Sequence, residues 1–260
     1  MSRTARLASL ALALPLVLPL QRSAAQADTR PVVAVLYFDN RAFGKQAADY
    51  ESFGKGITDL LINDLAAAGR VRVVERERIQ SVLAEQNLVK SGSIDQATAV
   101  KVGKIVGAQY VIMGSFITSP RDEIVLTSRA VDLETSVISN PQKVESKGDD
   151  VLGLVAQLSE RLQRDLKLPA KPAGGGDAGA RQSGAAGQTE TTRRPASSGA
   201  AAAKPPKMDV RTSLLYAKAL DEQDRGNDQR ATELYRAVLT RVPDYEPAKT
   251  KLAKLERSGS

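Results

Sequence analysis

The sequence predicts an α/β fold, a mixed parallel and antiparallel sheet with flanking helices, followed by a disordered linker and a small all-α module. Three observations carry this. Residues 71–86 (VRVVERERIQSVLAEQ) change period within one short stretch. The β-branched Val71, Val73 and Val74 give way to Ile79, Val82 and Leu83 at helical spacing, so a buried strand feeds an amphipathic helix. Residues 31–38 (PVVAVLYF) and 110–117 (YVIMGSFI) are continuous apolar runs of strand length, as in strands buried on both faces. Residues 169–207 are Ala, Gly, Pro, Ser, Thr and Gln with almost no large apolar side chain, and helical periodicity resumes after them.

The elements follow in order. Asp39 and Asn40 end the first strand with turn chemistry. Residues 50–69 form a helix with a mostly apolar stripe of Phe53, Ile57, Leu60, Leu61 and Leu65, stopped by Gly69. The strand at 71–74 completes a βαβ unit, which makes the first two strands parallel neighbours. Residues 88–93 are a connector, and Ser93 or Asp95 caps a helix over 96–106 with Ala99, Val102 and Val106 on one face. After the strand at 110–117, residues 119–123 are a tight turn. Residues 124–133 alternate as a strand, and 137–146, with Pro141, read as an edge strand completing an antiparallel meander. Residues 151–168 are a closing helix with Leu154, Leu158, Leu162 and Leu166 on one side, capped by Asp149 or Asp150.

In the last segment, 208–260, Leu215, Ala219, Gly226, Ala231, Tyr235 and Pro243 recur at the offsets of one tetratricopeptide (TPR) unit. Val238 and Glu222 depart from that pattern. A single repeat does not bury a core well, and residues 245–255 supply a third, capping helix. Whether this module docks on the α/β domain or binds a peptide is open at this level.

Residues 1–27 read as a secretory signal peptide: Arg3 and Arg6, an apolar run over 7–20, and Ala25, Gln26 and Ala27 as a cleavage signal. The domain boundaries are then 1–27, 28–168, 169–207 and 208–260. The chain contains no Cys and no His. That excludes thiol nucleophiles, His-based acid–base chemistry, Ser-His-Asp triads and ordinary zinc sites, and no catalytic, metal or cofactor site is expected. The formal charge is +7, but residues 28–168 carry 18 basic and 19 acidic side chains. The surplus lies in the signal and the linker, so nucleic acid is not an expected partner.

Four constellations invite a ligand, each beside a plainer reading. Gly54, Lys55 and Gly56 precede a helix but fit no phosphate-loop spacing, and close packing explains them. Glu75, Arg76, Glu77 and Arg78 form either a charged binding rim or a solvated helix start with local ion pairs. Asp39 and Asn40 lie at a strand's carboxyl end, where α/β sheets place ligand groups, or simply form a turn. Asp149 and Asp150 hold a cation or cap a helix.

The segments VAVLYFDN, FGKGITDLL, GRVRVVERERIQSVLAEQ, VGKIVGAQYVIMGSF and RAVDLETS resemble the CsgG family (CsgG/HfaB type), named for the outer-membrane curli-secretion channel. They are also similar to the amino-terminal domain of TolB-type periplasmic proteins. The resemblance covers about 140 residues, the whole folded core. It marks Asp39, Asn40, Gly54, Gly56, Glu75, Arg76, Gly114 and Asp132 as family-signature positions with structural roles. It implies a non-enzymatic envelope assembly, scaffold or secretion-accessory protein in the periplasm, with envelope proteins as partners, homo-oligomerisation and peripheral outer-membrane association. The alternatives are a regulator of a cell-wall synthase and a small-ligand-binding module at the Asp39 edge. Pore formation is not carried over. The lipidation Cys is absent, and 117–123 and 140–148 are too short and too little alternating for barrel hairpins, whose strands need roughly 9–11 residues each.

Overall fold

The computed structural model describes residues 28–42, 45–86, 94–119, 121, 123–139, 141–166 and 206–258. The expected signal segment, the connector 88–93 and nearly all of the linker lie outside them.

The first apolar run does not form one strand. It divides into β1 (Val32–Val35) and β2 (Asp39–Asn40), both parallel to β4 (Tyr110–Thr118) along the same edge. Asp39 and Asn40 are therefore strand residues rather than the turn expected of them. The interruption has a steric cause. The Phe38 ring turns onto Gly114, where a Cβ would stand 2.5 Å from it, and the Phe38 carbonyl meets Gly54, where a Cβ would stand 2.1 Å away. Thr58 Oγ1 donates to the Leu36 carbonyl at 3.0 Å, which pairs an acceptor exposed by the break. Gly54 and Gly114 are thus close-approach glycines. A G54A substitution should lower stability by about 1–3 kcal/mol through backbone displacement, read by urea denaturation; an unchanged midpoint would refute the contact.

Helix α1 (Phe53–Ala68) follows a 3-10 turn at Lys45–Tyr50 and ends on Gly69 in the left-handed region at φ 68°. β3 (Arg72–Val73) pairs parallel with β1, as the βαβ reading requires. Helices α2 (Arg76–Glu85) and α3 (Gln96–Ile105) lead to β4, and Asp95 caps α3 by accepting from the Thr98 amide. β5 (Ile124–Asp132) and β6 (Gln142–Ser146) complete the antiparallel meander. The last strand is shorter than expected: residues 137–139 contribute one bridge, Ile138 to Val131, before β6 begins. Helix α4 (Val151–Asp165) closes the domain, capped by Asp150 through the Gly153 amide.

The sheet order is β3-β1-β4-β5-β6, with β6 at the expected edge. One face packs Val33, Val35, Ile112, Phe116, Leu126 and Val144 against α1 and α4. The other packs Ala34, Leu36, Val111, Met113 and Val131 against α2 and α3.

Three helices follow: α5 (Val210–Asp224), α6 (Asp228–Arg241) and α7 (Glu246–Ser258). Gly226 makes the α5–α6 turn at φ 78°. Ala219, Ala231 and Tyr235 are fully buried, Leu215 is half-buried and Pro243 is exposed. The module docks. Met208, Val210, Tyr216, Ala217 and Leu220 join the same apolar cluster as α1 and α4. Its entry is fixed by two backbone hydrogen bonds, Val151 N to Met208 O at 2.7 Å and Val210 N to Gly148 O at 2.9 Å. Three helices of this size bury little core by themselves, and here α1 covers the inner face of α5.

Candidate functional site

The densest concentration of polar chemistry lies where α1, α2 and α5 converge. Arg76, at the first position of α2, has a side chain only 1 % exposed. Its Nη1 reaches Asp224 Oδ2 at 2.7 Å and Gln80 Oε1 at 3.3 Å, and its Nη2 reaches Glu77 Oε1 at 3.1 Å. Its Nε faces Asp59 Oδ1 at 3.5 Å, an ion pair rather than a hydrogen bond. Arg76 keeps the local ion pair with Glu77 that a helix start implies, but it is buried rather than solvated. An exposed guanidinium would have stayed in water, but the docked α5 covers this one and supplies its strongest partner.

Asp59, on α1, is the second hub. It accepts from Tyr216 Oη at 2.6 Å and from Asn63 Nδ2 at 2.9 Å, and Lys251 Nζ of α7 lies 3.1 Å from its other oxygen. Lys55 bonds Asp221 at 2.6 Å and Asp224 at 3.2 Å. The result is a chain of three cations and four carboxylates across the junction, Glu77 included. Burial works against the Arg76 charge, yet the hydrogen bond and field of Asp224 more than offset it, so the guanidinium holds its proton more tightly than usual. Burial would raise Glu77, but Lys251 and Arg76 hold its carboxyl below the ordinary value.

Around this chain sit the buried tyrosines. Tyr216 packs edge-on against Tyr235 at 5.9 Å and Tyr245 at 5.3 Å between ring centroids. Burial, reinforced by the Asp59 charge, raises all three hydroxyls, and burial pushes Tyr37 up to about 12. Each binds its proton more tightly folded than unfolded. Their contribution is therefore fully present below about pH 10 and is lost as pH rises through the folded values. Tyrosinate absorbance should accordingly appear together with loss of helical circular dichroism. In a Y50F/Y110F chain, which leaves only these four tyrosines, titration near pH 10 with the fold intact would contradict the burial.

The remaining signature positions separate in space. Gly56 is the crossing point of α1 and α5: a Cβ there would stand 2.6 Å from the Ala217 Cβ. Glu75 precedes α2 as its N-cap without a side-chain capping bond. The Asn40 side chain donates to the Ala47 carbonyl at 2.8 Å and accepts from the Ala42 amide at 2.9 Å. Asp132 accepts from the amides of Glu134 and Thr135, both at 2.9 Å, and those bonds, Thr135 foremost, lower its pKa. Asp39 borders a cleft of about 190 Å³ with Arg41, Ser115, Thr127 and Arg129. Lys55 was singled out only within the Gly54–Gly56 phosphate-loop candidate, and Asp59, Asp221, Asp224 and Lys251 escaped sequence reasoning as site residues. On their own helices they read as ordinary solvated positions, and no local signal marks them. Among the described residues no group of three or more potential ligands could hold a metal ion, and no helix is long and apolar enough to cross a membrane.

Residues 19–119 match the family described as curli production assembly/transport component CsgG. The match begins inside the expected signal segment and ends just beyond β4, without reaching β5, β6 and α4. No curated protein sequence matches the chain. Among solved structures, the LpoB C-terminal domain from Salmonella enterica is similar at 22% identity and a TM-score of 0.36, over 47% of this chain and 87% of that one. Lipoprotein GNA1162 from Neisseria meningitidis is similar at 13% identity and a TM-score of 0.39, over 53% and 96%. The PelC dodecamer from Paraburkholderia phytofirmans is similar at 17% identity and a TM-score of 0.34, over 54% and 90%. Over residues 19–119 this chain is therefore similar to the CsgG family, and the mixed sheet with its flanking helices is consistent with that likeness.

Proposed function

We propose that this chain is a non-enzymatic accessory protein of the cell envelope, exported to the periplasm. Its CsgG-like core acts as an assembly or secretion scaffold, and its docked helices α5–α7 turn a second surface toward protein partners. The observation that carries this reading is the family match over 19–119. The short link from β4 to β5 limits it: the Ser119 amide bonds the Glu123 carbonyl at 2.9 Å, closing a tight turn where a membrane-spanning hairpin would need roughly twice 9–11 residues. Scaffolding, rather than a pore, is the role this core suits. Light scattering on residues 28–260 in detergent-free buffer tests it. A defined oligomer is expected, and a monomer at every concentration would overturn the scaffold.

The cleft beside Asp39 favours one further reading, a small anionic ligand held by Arg41 and Arg129. A thermal-shift screen of carboxylates and phosphates tests it. A ligand at about 100 times its dissociation constant adds about 2.7 kcal/mol, and R129A should abolish the shift. No shift with any anion would remove this reading.

A further inference from the structure

The outer side of α1 and the first turn of α2 form a receptor shaped for one helix. Ile57, Leu61 and Leu65 hold α1 on the sheet, and Ile79, Val82 and Leu83 hold α2 on the opposite face. Neither helix depends on α5 for its place. Facing outward they leave a notch at Gly56, the cations Lys55 and Arg76, and the acceptor Asp59. Helix α5 answers each feature. Ala217 enters the notch, Tyr216 donates to Asp59, Asp221 meets Lys55, and Asp224 is shared by Lys55 and Arg76. These four residues fall on one face of α5.

We propose that this face is an exchangeable helix-docking site, filled in cis by α5 and in trans by an acidic, tyrosine-bearing helix of a partner protein. Charge complementarity defines that partner: carboxylates three residues apart, placed one turn or more after a Tyr-Ala pair, against Lys55 and Arg76. Two observations make the site exchangeable. First, permanent interfaces are depleted of charge at their centres, whereas this one holds a seven-membered ionic chain in which Arg76, Asp59 and Asp224 are buried and would regain water on separation. Second, the connecting sequence is much longer than the path between its two ends. Residues 167–205 lead from the end of α4 back to its start, where Met208 pairs with Val151. That is a path of about 22 Å along the helix, and about forty residues reach several times farther. The inference does not rest on the envelope role.

The chain has no Cys, so one introduced thiol reports one position. S213C places a near-isosteric thiol on α5 at the Gly56 crossing, where Ser213 is 1 % exposed, and A34C places one in the central strand. In the folded full chain, the thiol at 213 should label at least about tenfold faster than that at 34. Raising salt from about 0.05 M to about 0.5 M should accelerate labelling at 213 several-fold and leave 34 unchanged. A synthetic peptide of residues 208–226 should further accelerate labelling at 213 by displacing α5, and the same peptide carrying Y216F and D224N should not. Equal labelling at both positions, or no response to the unaltered peptide, would overturn the proposal. If S213C does not fold, A217C provides the same readout.

Discussion

Replacing Arg76 with methionine is expected to lower the stability of the full chain by about 3–5 kcal/mol. The methionine retains much of the apolar volume, so packing is not the main loss. What changes is that Asp59 and Asp224, with side chains 4 % and 6 % exposed, lose the guanidinium between them. Lys55 and Lys251 still reach these carboxylates, but each lies nearer the surface, 24 % and 18 % exposed, and neither takes the place of Nη1 at 2.7 Å between the two. Removing one partner from a buried ionic cluster costs more than the cluster contributes, because the remaining charge is left without its counter-ion. R76M combined with D224N should recover part of the loss, with a coupling of about 0.5–3 kcal/mol in a double-mutant cycle. Urea unfolding followed by circular dichroism measures both. A cost below about 1 kcal/mol would mean the guanidinium is solvated after all.

The second large effect is expected at Tyr216. Y216A should cost about 3–5 kcal/mol, since it empties a fully buried aromatic site and removes two edge-on ring contacts at once. Y216F keeps the ring and removes only the hydrogen bond to Asp59, for which about 1.5–3 kcal/mol is the scale of a bond to a charged group. The ordering Y216A above Y216F is the diagnostic result. Equal losses would assign the whole effect to the hydroxyl and leave the tyrosine cluster with no packing role. Because Tyr216 belongs to the module and Asp59 to the α/β domain, both variants should loosen α5–α7 before they unfold the sheet. Protection of α5 amides against hydrogen exchange should fall first, with those of β1 and β4 retained.

These two residues also mark where reading the sequence succeeds and where it stops. Periodicity located the helices over 53–68, 96–105 and 151–165 to within a few residues. Burial on one side leaves a 3.6-residue signature in each helix, independent of what does the burying. The parallel pairing of β1 with β3 followed from the handedness and length of a βαβ unit. The break at Phe38 did not, because it depends on Gly114, which lies far along the chain and on a different strand. The family-signature position Arg76 was legible as a position but not as a role. Its main partner is 148 residues away, and the charged residues around it along the chain describe a surface.

Composition and local pattern were enough to establish an α/β core, a mixed sheet with β6 at its edge, and a helical segment after a long compositional break. Each of these is written in residues close together in the chain, where covalent geometry enforces the contact. The placement of α5–α7 against α1, the burial of Arg76, and the joining of two segments into one apolar cluster came from the folded arrangement alone. Their energetics depend on which groups lose water together. A linear pattern records which residues are apolar, but desolvation of a charge is a property of everything packed around it.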